Sequence, residues 1–196
     1  NMDGLFYLTK EALPYLIKSH GNIVVDTSVS GLRGDCGQTA YNSTKHAMNG
    51  FVRCVALDYG AKGARINAFA PGFIETDINK EVWTNPERVK PYLDRVALNR
   101  TGRAEDCAGI ALFLASDDAS CLTGLVVPVD GGTTAATGQA VIHTKTTPVP
   151  CCELADLQLA DGVGDGLLRS FMGRNSPSRY LPRPAHYLTV KPSCSP

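Results

Sequence analysis

Gly21-Asn-Ile-Val-Val-Asp-Thr-Ser28, followed thirteen residues after Ser28 by Tyr41-Asn-Ser-Thr-Lys45, decides how this chain folds. The run from Asn22 is short, apolar and β-branched, which suits a strand covered on both faces. Gly21 closes a helical stripe upstream, in which Leu5, Leu8, Ala12, Leu13, Leu16 and Ile17 recur at helical spacing across residues 2–19. Downstream, a second helix is expected from about Ala40 to Tyr59, ended by Gly60 and Gly63. Arg65-Ile-Asn-Ala-Phe-Ala70 reads as another strand, stopped by Pro71-Gly72. A polar, proline-punctuated region runs from Glu75 to Arg103, then a helix from Ala104 to Ser116 and a strand from Leu125 to Val129, closed by Asp130-Gly-Gly. Helix and strand alternate three times. That order predicts an α/β fold with a parallel sheet and helices on both faces.

Composition bounds the function. In 196 residues, 19 Lys and Arg balance 19 Asp and Glu, which excludes binding driven by a basic, phosphate-neutralising surface and so argues against nucleic acid as a partner. No run approaches the roughly 18 apolar residues of a membrane helix, so no membrane partner is expected. The opening Asn1-Met-Asp-Gly has no basic region or cleavage site, so no secretory signal is expected, and without an initial Met the chain reads as a processed or partial product. Seven cysteines (36, 54, 107, 121, 151, 152 and 194) are odd in number and lack any Cys-x-x-Cys spacing, so they point to reduced thiols in a cytoplasmic setting, with no disulfide frame or metal site. The composition shifts near residue 135: residues 136–196 hold 7 of the 12 prolines in under a third of the length. That tail is expected to be mostly irregular, with at best a short weak helix between Glu153 and Met172 interrupted by Gly162, Gly164 and Gly166.

The chemistry concentrates around Tyr41. Tyr41 and Lys45 stand four apart on one helix and share a face. A free phenol titrates near ~10 and is a poor base at neutral pH; a neighbouring ammonium favours the phenolate and makes the group a usable proton donor or acceptor. Ser28 lies at the carboxyl end of the first strand, where open α/β sheets place ligands. A hydroxyl there can hydrogen-bond a substrate oxygen alongside the phenol and steady the charge that develops on it. Alone, a Tyr-x-x-x-Lys spacing means little. The conjunction carries weight: Ser28, Tyr41, Lys45, then Pro71-Gly-Phe-Ile-Glu-Thr76, then Thr123-Gly124 and Val129-Asp-Gly-Gly132, in that order.

Over about residues 1–135, this order resembles the short-chain dehydrogenase/reductase family, most closely the branch of 3-oxoacyl-carrier-protein reductases and small-alcohol dehydrogenases. The resemblance implies a partial Rossmann-like, doubly wound parallel sheet, namely the last three strands and their helices. It implies an NAD or NADP-dependent oxidoreductase moving hydride between nicotinamide and a small-molecule alcohol or ketone, working as a homo-oligomer in full-length form. In the roles it implies, Tyr41 is the general acid/base, Lys45 assists it and holds the nicotinamide ribose, and Ser28 orients the carbonyl. Asn1, heading Asn1-Met-Asp-Gly-Leu-Phe6, is the implied anchor of a proton-relay water. Pro71, Gly72, Ile74 and Thr76 are implied to lie against the nicotinamide, and residues 75–103, with Trp83 and Tyr92, to form a lid over substrate. Ordinary packing explains Trp83 and Tyr92 equally well. His46 and His20 read as structural, His20 as a cap at a helix end, and Asp130 as the organiser of a turn.

The resemblance also implies an N-terminal dinucleotide-binding half whose glycine-rich turn holds the cofactor pyrophosphate at a helix N-terminus. No such turn occurs in this sequence. Gly31, Gly34 and Gly37 have the wrong spacing, and Asp161-Gly-Val-Gly-Asp-Gly166 has no strand leading in and two aspartates that repel phosphate. The residue that selects NAD or NADP is not readable. The chain as it stands is therefore expected to hold cofactor weakly or not at all, with Ile23, Val24 and Val25 on an unpaired apolar edge. Two other readings compete with the enzyme: a truncated, inactive family fragment, and a binding module that keeps the helices of residues 2–19 and 40–59 for pairing subunits.

Overall fold

The structure, a computed structural model, describes residues 1–137. The irregular tail expected over 136–196 lies outside the described residues, apart from its first two. In chain order the elements are α1 (Met2–Ser19), β1 (Asn22–Asp26), α2 (Thr39–Tyr59), β2 (Arg65–Pro71), α3 (Lys80–Trp83), α4 (Pro86–Leu93), α5 (Ala104–Ala115) and β3 (Val126–Val129). The three strands form one parallel sheet in the order β1-β2-β3, with Asn22 opposite Arg65 and Ala68 opposite Val126. This is the expected α/β architecture.

The central strand shows why both faces must be covered. Alternate side chains of a strand point to opposite faces. Ile66 and Ala68 pack into a core with Val25 of β1, Leu13 of α1 and Met48, Val52, Val55 and Ala56 of α2. Between them, Arg65 and Asn67 serve the opposite side. Arg65 donates to the carbonyls of Leu114 and Ser116 at the end of α5, at 3.4 and 3.1 Å. Asn67, fully buried, donates from Nδ2 to the Leu122 carbonyl at 2.8 Å and accepts the Leu125 N–H at 3.1 Å. One side of β2 is closed by hydrocarbon, the other by hydrogen bonds that tie in the segment leading to β3.

Three details differ from the sequence reading, each for a local reason. β1 ends at Asp26, before Ser28, because the Ser28 hydroxyl accepts the Ser30 N–H at 3.1 Å and caps a 3-10 turn over Val29–Gly31. The region 75–103 contains two short helices. Pro86 starts α4 because a first-turn proline loses no helical hydrogen bond, and the Asn85 side chain caps it by accepting from the N–H groups of Glu87 and Arg88 at 3.0 and 3.3 Å. His20 ends α1 through its own left-handed backbone (φ 51°), its N–H donating to the Leu16 carbonyl, and its imidazole lies over Gly63, where a side chain would collide with it.

β1 is an edge strand among the described residues, as expected, with Val24 half-buried. Val25 is buried and Ile23 packs against the core; the backbone ladder is open. Among the described residues, no helix is long and apolar enough to cross a membrane.

Replacing Ile66, which is 1% exposed at the centre of this core, by Ala is expected to lower unfolding stability by about 3 kcal/mol in urea titration. Leu57→Ala, at a position 84% exposed on α2, is expected to change it by less than about 0.5 kcal/mol.

Candidate active site

The fold brings β1 and the start of α2 together at the carboxyl end of the sheet. Tyr41 and Lys45 lie in the first two turns of α2, and the Lys45 ammonium stands 5.6 Å from the centre of the Tyr41 ring. Lys45 is 8% exposed and donates to the carbonyl of Asp26, the last residue of β1, at 3.4 Å. Tyr41 is 40% exposed, so its ring keeps one side in solvent. A buried ammonium held by a backbone dipole, beside a phenol open to solvent, suits proton exchange at the phenol oxygen.

Ser28 sits two residues past β1 and is 9% exposed. Its oxygen accepts the Ser30 N–H, which leaves the hydroxyl hydrogen available for a third party. The turn that Ser28 caps packs directly on α2. Two side chains that the sequence reading gave no role, and one glycine, fix this packing. Asn42 donates to the Arg33 carbonyl and Asn49 to the Gly31 carbonyl, each at 2.9 Å, and Gly31 approaches so near that a Cβ would stand 2.6 Å from the Lys45 carbonyl oxygen. The seven-residue spacing of the two asparagines on one helix face is the signal that could have found them. His46 donates from Nδ1 to the Asn42 carbonyl at 2.9 Å, in keeping with a structural role.

Pro71 ends β2, and Gly72 donates its N–H to the Val129 carbonyl at 3.0 Å. A Cβ on Gly72 would lie 2.8 Å from Asp130, so this turn tolerates only glycine without a shift. Asp130 orders the facing turn, accepting the N–H groups of Gly132 and Thr134 at 2.9 and 2.7 Å. Ile74 pairs with Gly102, and the Glu75 carboxylate meets the Thr101 hydroxyl at 2.5 Å and Arg103 at 3.8 Å, so both ends of segment 76–101 are tied together. Thr76 gives its N–H and hydroxyl to Asn79 Oδ1 at 2.9 and 3.0 Å, and its carbonyl accepts from the Trp83 indole at 3.0 Å. Trp83 therefore holds the base of this segment. Phe73 and Tyr92 pack with ring centres 4.5 Å apart. A cavity of 490 Å³ opens beside Phe73, Ile74, Leu98 and Asp130; Ser28, Tyr41 and Lys45 are not among its walls. Asn1 caps α1 through its carbonyl, which accepts the Leu5 N–H at 3.1 Å, while its side chain makes no capping bond.

Partial burial raises the Asp26 carboxyl above the ordinary carboxylate pKa, and the Lys45 charge opposes that rise. A folded-state pKa above the unfolded one withdraws stability as pH climbs through the interval between them. Asp26→Asn is therefore expected to match wild type in thermal melts near pH 3 and to exceed it by about 1–2 °C at pH 7, a small gain because solvent screens the site.

Known proteins share this sequence and fold. The model of the enoyl-(acyl carrier protein) reductase family matches residues 1–134. The chain is 43% identical over 142 residues to the meso-2,3-butanediol dehydrogenase of Serratia marcescens, an alignment covering 72% of this chain and 56% of that protein. It is 40% identical over 134 residues to the 3-oxoacyl-[acyl-carrier-protein] reductase FabG of Thermotoga maritima, covering 67% and 53% respectively. The chain thus spans about half the length of the curated relatives it matches. Among solved structures, an Agrobacterium tumefaciens protein with bound NADP superposes with TM-score 0.66 at 33% identity, over 69% of this chain and 56% of that one. A 4-hydroxyisoleucine dehydrogenase complexed with NADH superposes with TM-score 0.67 at 31% identity, over 69% and 57%. By sequence over two thirds of its length, and by the fold that this sequence builds, the chain belongs to the short-chain dehydrogenase/reductase family.

Proposed function

We propose that residues 1–135 form the catalytic half of an NAD(P)-dependent oxidoreductase that interconverts a small-molecule alcohol and its carbonyl compound. The observation that carries the reading is the Lys45 ammonium, buried and tethered to Asp26, beside the solvent-facing Tyr41 ring. The donor set suits the nicotinamide end of such a cofactor: a phenol, an ammonium, and the glycine turn at Pro71-Gly72 whose closeness to Asp130 leaves a bare backbone beyond β2. Tyr41 and Lys45 would hold the ribose, with Pro71, Gly72, Ile74 and Thr76 along the ring. Bound there, the dinucleotide supplies or accepts the hydride.

The side chains handle the proton. In the reducing direction the Tyr41 hydroxyl gives its proton to the carbonyl oxygen of the substrate. Negative charge left on the phenol oxygen is favoured by the ammonium beside the ring. The Ser28 hydroxyl, its oxygen already engaged by the Ser30 N–H, donates its hydrogen to the same substrate oxygen. In the oxidising direction each transfer reverses. Asn1, at the head of α1, is the proposed anchor of the water that returns the proton to solvent. Segment 76–101, tied at its base through Glu75 and Thr101, is the proposed cover over the substrate.

Self-association into a homo-oligomer is supported by large apolar side chains that the helices leave in solvent, such as Leu8 of α1 and Leu57 of α2. A reducing, cytoplasmic setting is supported by the free thiols at Cys36, Cys54, Cys107 and Cys121.

The test is hydride transfer followed at the nicotinamide absorbance, with NADH and NADPH against a panel of small ketones, on the polypeptide carrying residues 1–137. Tyr41→Phe is expected to lower kcat by about 10³ or more while leaving the fold intact by circular dichroism. Lys45→Met is expected to lower kcat and also weaken cofactor binding. Retention of full activity in Tyr41→Phe would sink the proposal.

A further inference from the structure

Two wholly buried asparagines show opposite economies. Asn67 uses both ends of its amide, donating to Leu122 and accepting from Leu125. Asn49, 1% exposed, donates from Nδ2 to the Gly31 carbonyl, but its Oδ1 meets no donor among the described residues. A buried carbonyl oxygen without a donor costs stability. The amide cannot simply turn over, because its oxygen has no hydrogen to give the Gly31 carbonyl. What the position gains from asparagine is the donor.

That donor acts on the segment carrying Ser28. Gly31 sends its N–H to the Ser28 carbonyl at 2.9 Å, and the intervening Ser30 N–H holds the Ser28 hydroxyl oxygen. On its other side Gly31 rests on α2 at Lys45, where a Cβ would also lie 2.7 Å from Asn49 Nδ2. Asn42, one residue after Tyr41, repeats the pattern on the Arg33 carbonyl, again with its oxygen unpaired among the described residues. Two amides seven residues apart on one helix, with Lys45 between them, thus clamp residues 31–33 against the helix that bears Tyr41.

We infer that Asn49, through Gly31, is a positioning residue that sets the Ser28 hydroxyl against Tyr41. Its consequence for catalysis rests on the proposed oxidoreductase reading. Its structural content does not.

Asn49→Leu tests it by amide hydrogen exchange on the full 196-residue chain. Exchange at Ser30, Gly31, Leu32 and Arg33 is expected to speed up by about tenfold or more, while Ile66 and Ala68 in β2 change by less than about twofold. Hydride transfer is expected to show kcat down by about tenfold with the cofactor KM unchanged, a split that a general loss of folding would not produce. Gly31→Ala, which pushes the same segment off the helix from the other side, is expected to shift the same amides. Unchanged exchange at 30–33, or equal acceleration in β2, overturns the inference, and so does an active enzyme whose kcat ignores Asn49→Leu. If the wild-type chain transfers no hydride, it is inactive without its dinucleotide-binding half, and the exchange pattern alone decides the clamp.

Discussion

The hydrogen bond from the Lys45 ammonium to the carbonyl of Asp26 joins the sheet to the helix that carries the chemistry. An ammonium 8% exposed is tolerated only where a polar group meets it, and here that group belongs to the backbone at the end of β1. The ladder explains why this carbonyl is free. Arg65 donates to Gly21 and Thr27 donates to Phe69, so odd-numbered residues of β1 bond β2, and the carbonyl of Asp26 points to the other side. Lys45 uses an edge group that the sheet leaves over. Because the bond spans β1 and α2, the position of Tyr41 depends on strand register as well as on helix geometry.

Around that bond, close approach is obtained with small residues and fixed with amides. Gly31 lets the Ser28 turn touch α2, Gly72 lets the β2 turn touch Asp130, and Gly102 lets Ile74 pair across the base of the 76–101 segment. At each point a Cβ would collide with a neighbour. The polar partners that hold these contacts (Asn42, Asn49, Asn79, Asp130) mostly engage backbone groups, so the site is braced by main-chain geometry.

Among the described residues, the two edges of the sheet are not equivalent. On β3, Pro128 stands opposite Ala70, at a position whose N–H would face away from β2 because Leu125 and Val129 are the residues that accept from that strand. A proline there removes an outward donor and blunts the edge. β1 keeps its outward donors. Its side chains are already covered by α1 and α2 on one face, so exposure at this edge is mainly a matter of backbone ladder.

The sequence alone was enough for the element order, the parallel sheet and the pairing of Tyr41 with Lys45, because all three follow from local periodicity: apolar runs bounded by glycine, and a four-residue step on one helix. It also marked Asp130 as a turn organiser. It was silent about α3 and α4, where short helices depend on caps such as Asn85 more than on any apolar stripe. Nor could it reveal the partners of Asn42 and Asn49, the occupied hydroxyl of Thr76, or the use of an edge carbonyl by Lys45. Those contacts join residues 9 to 19 positions apart or across separate turns, and they exist only once strand register and helix packing have brought backbone groups within hydrogen-bonding distance. Periodicity records which face a residue takes; the partner it meets there is set by the packing of the whole.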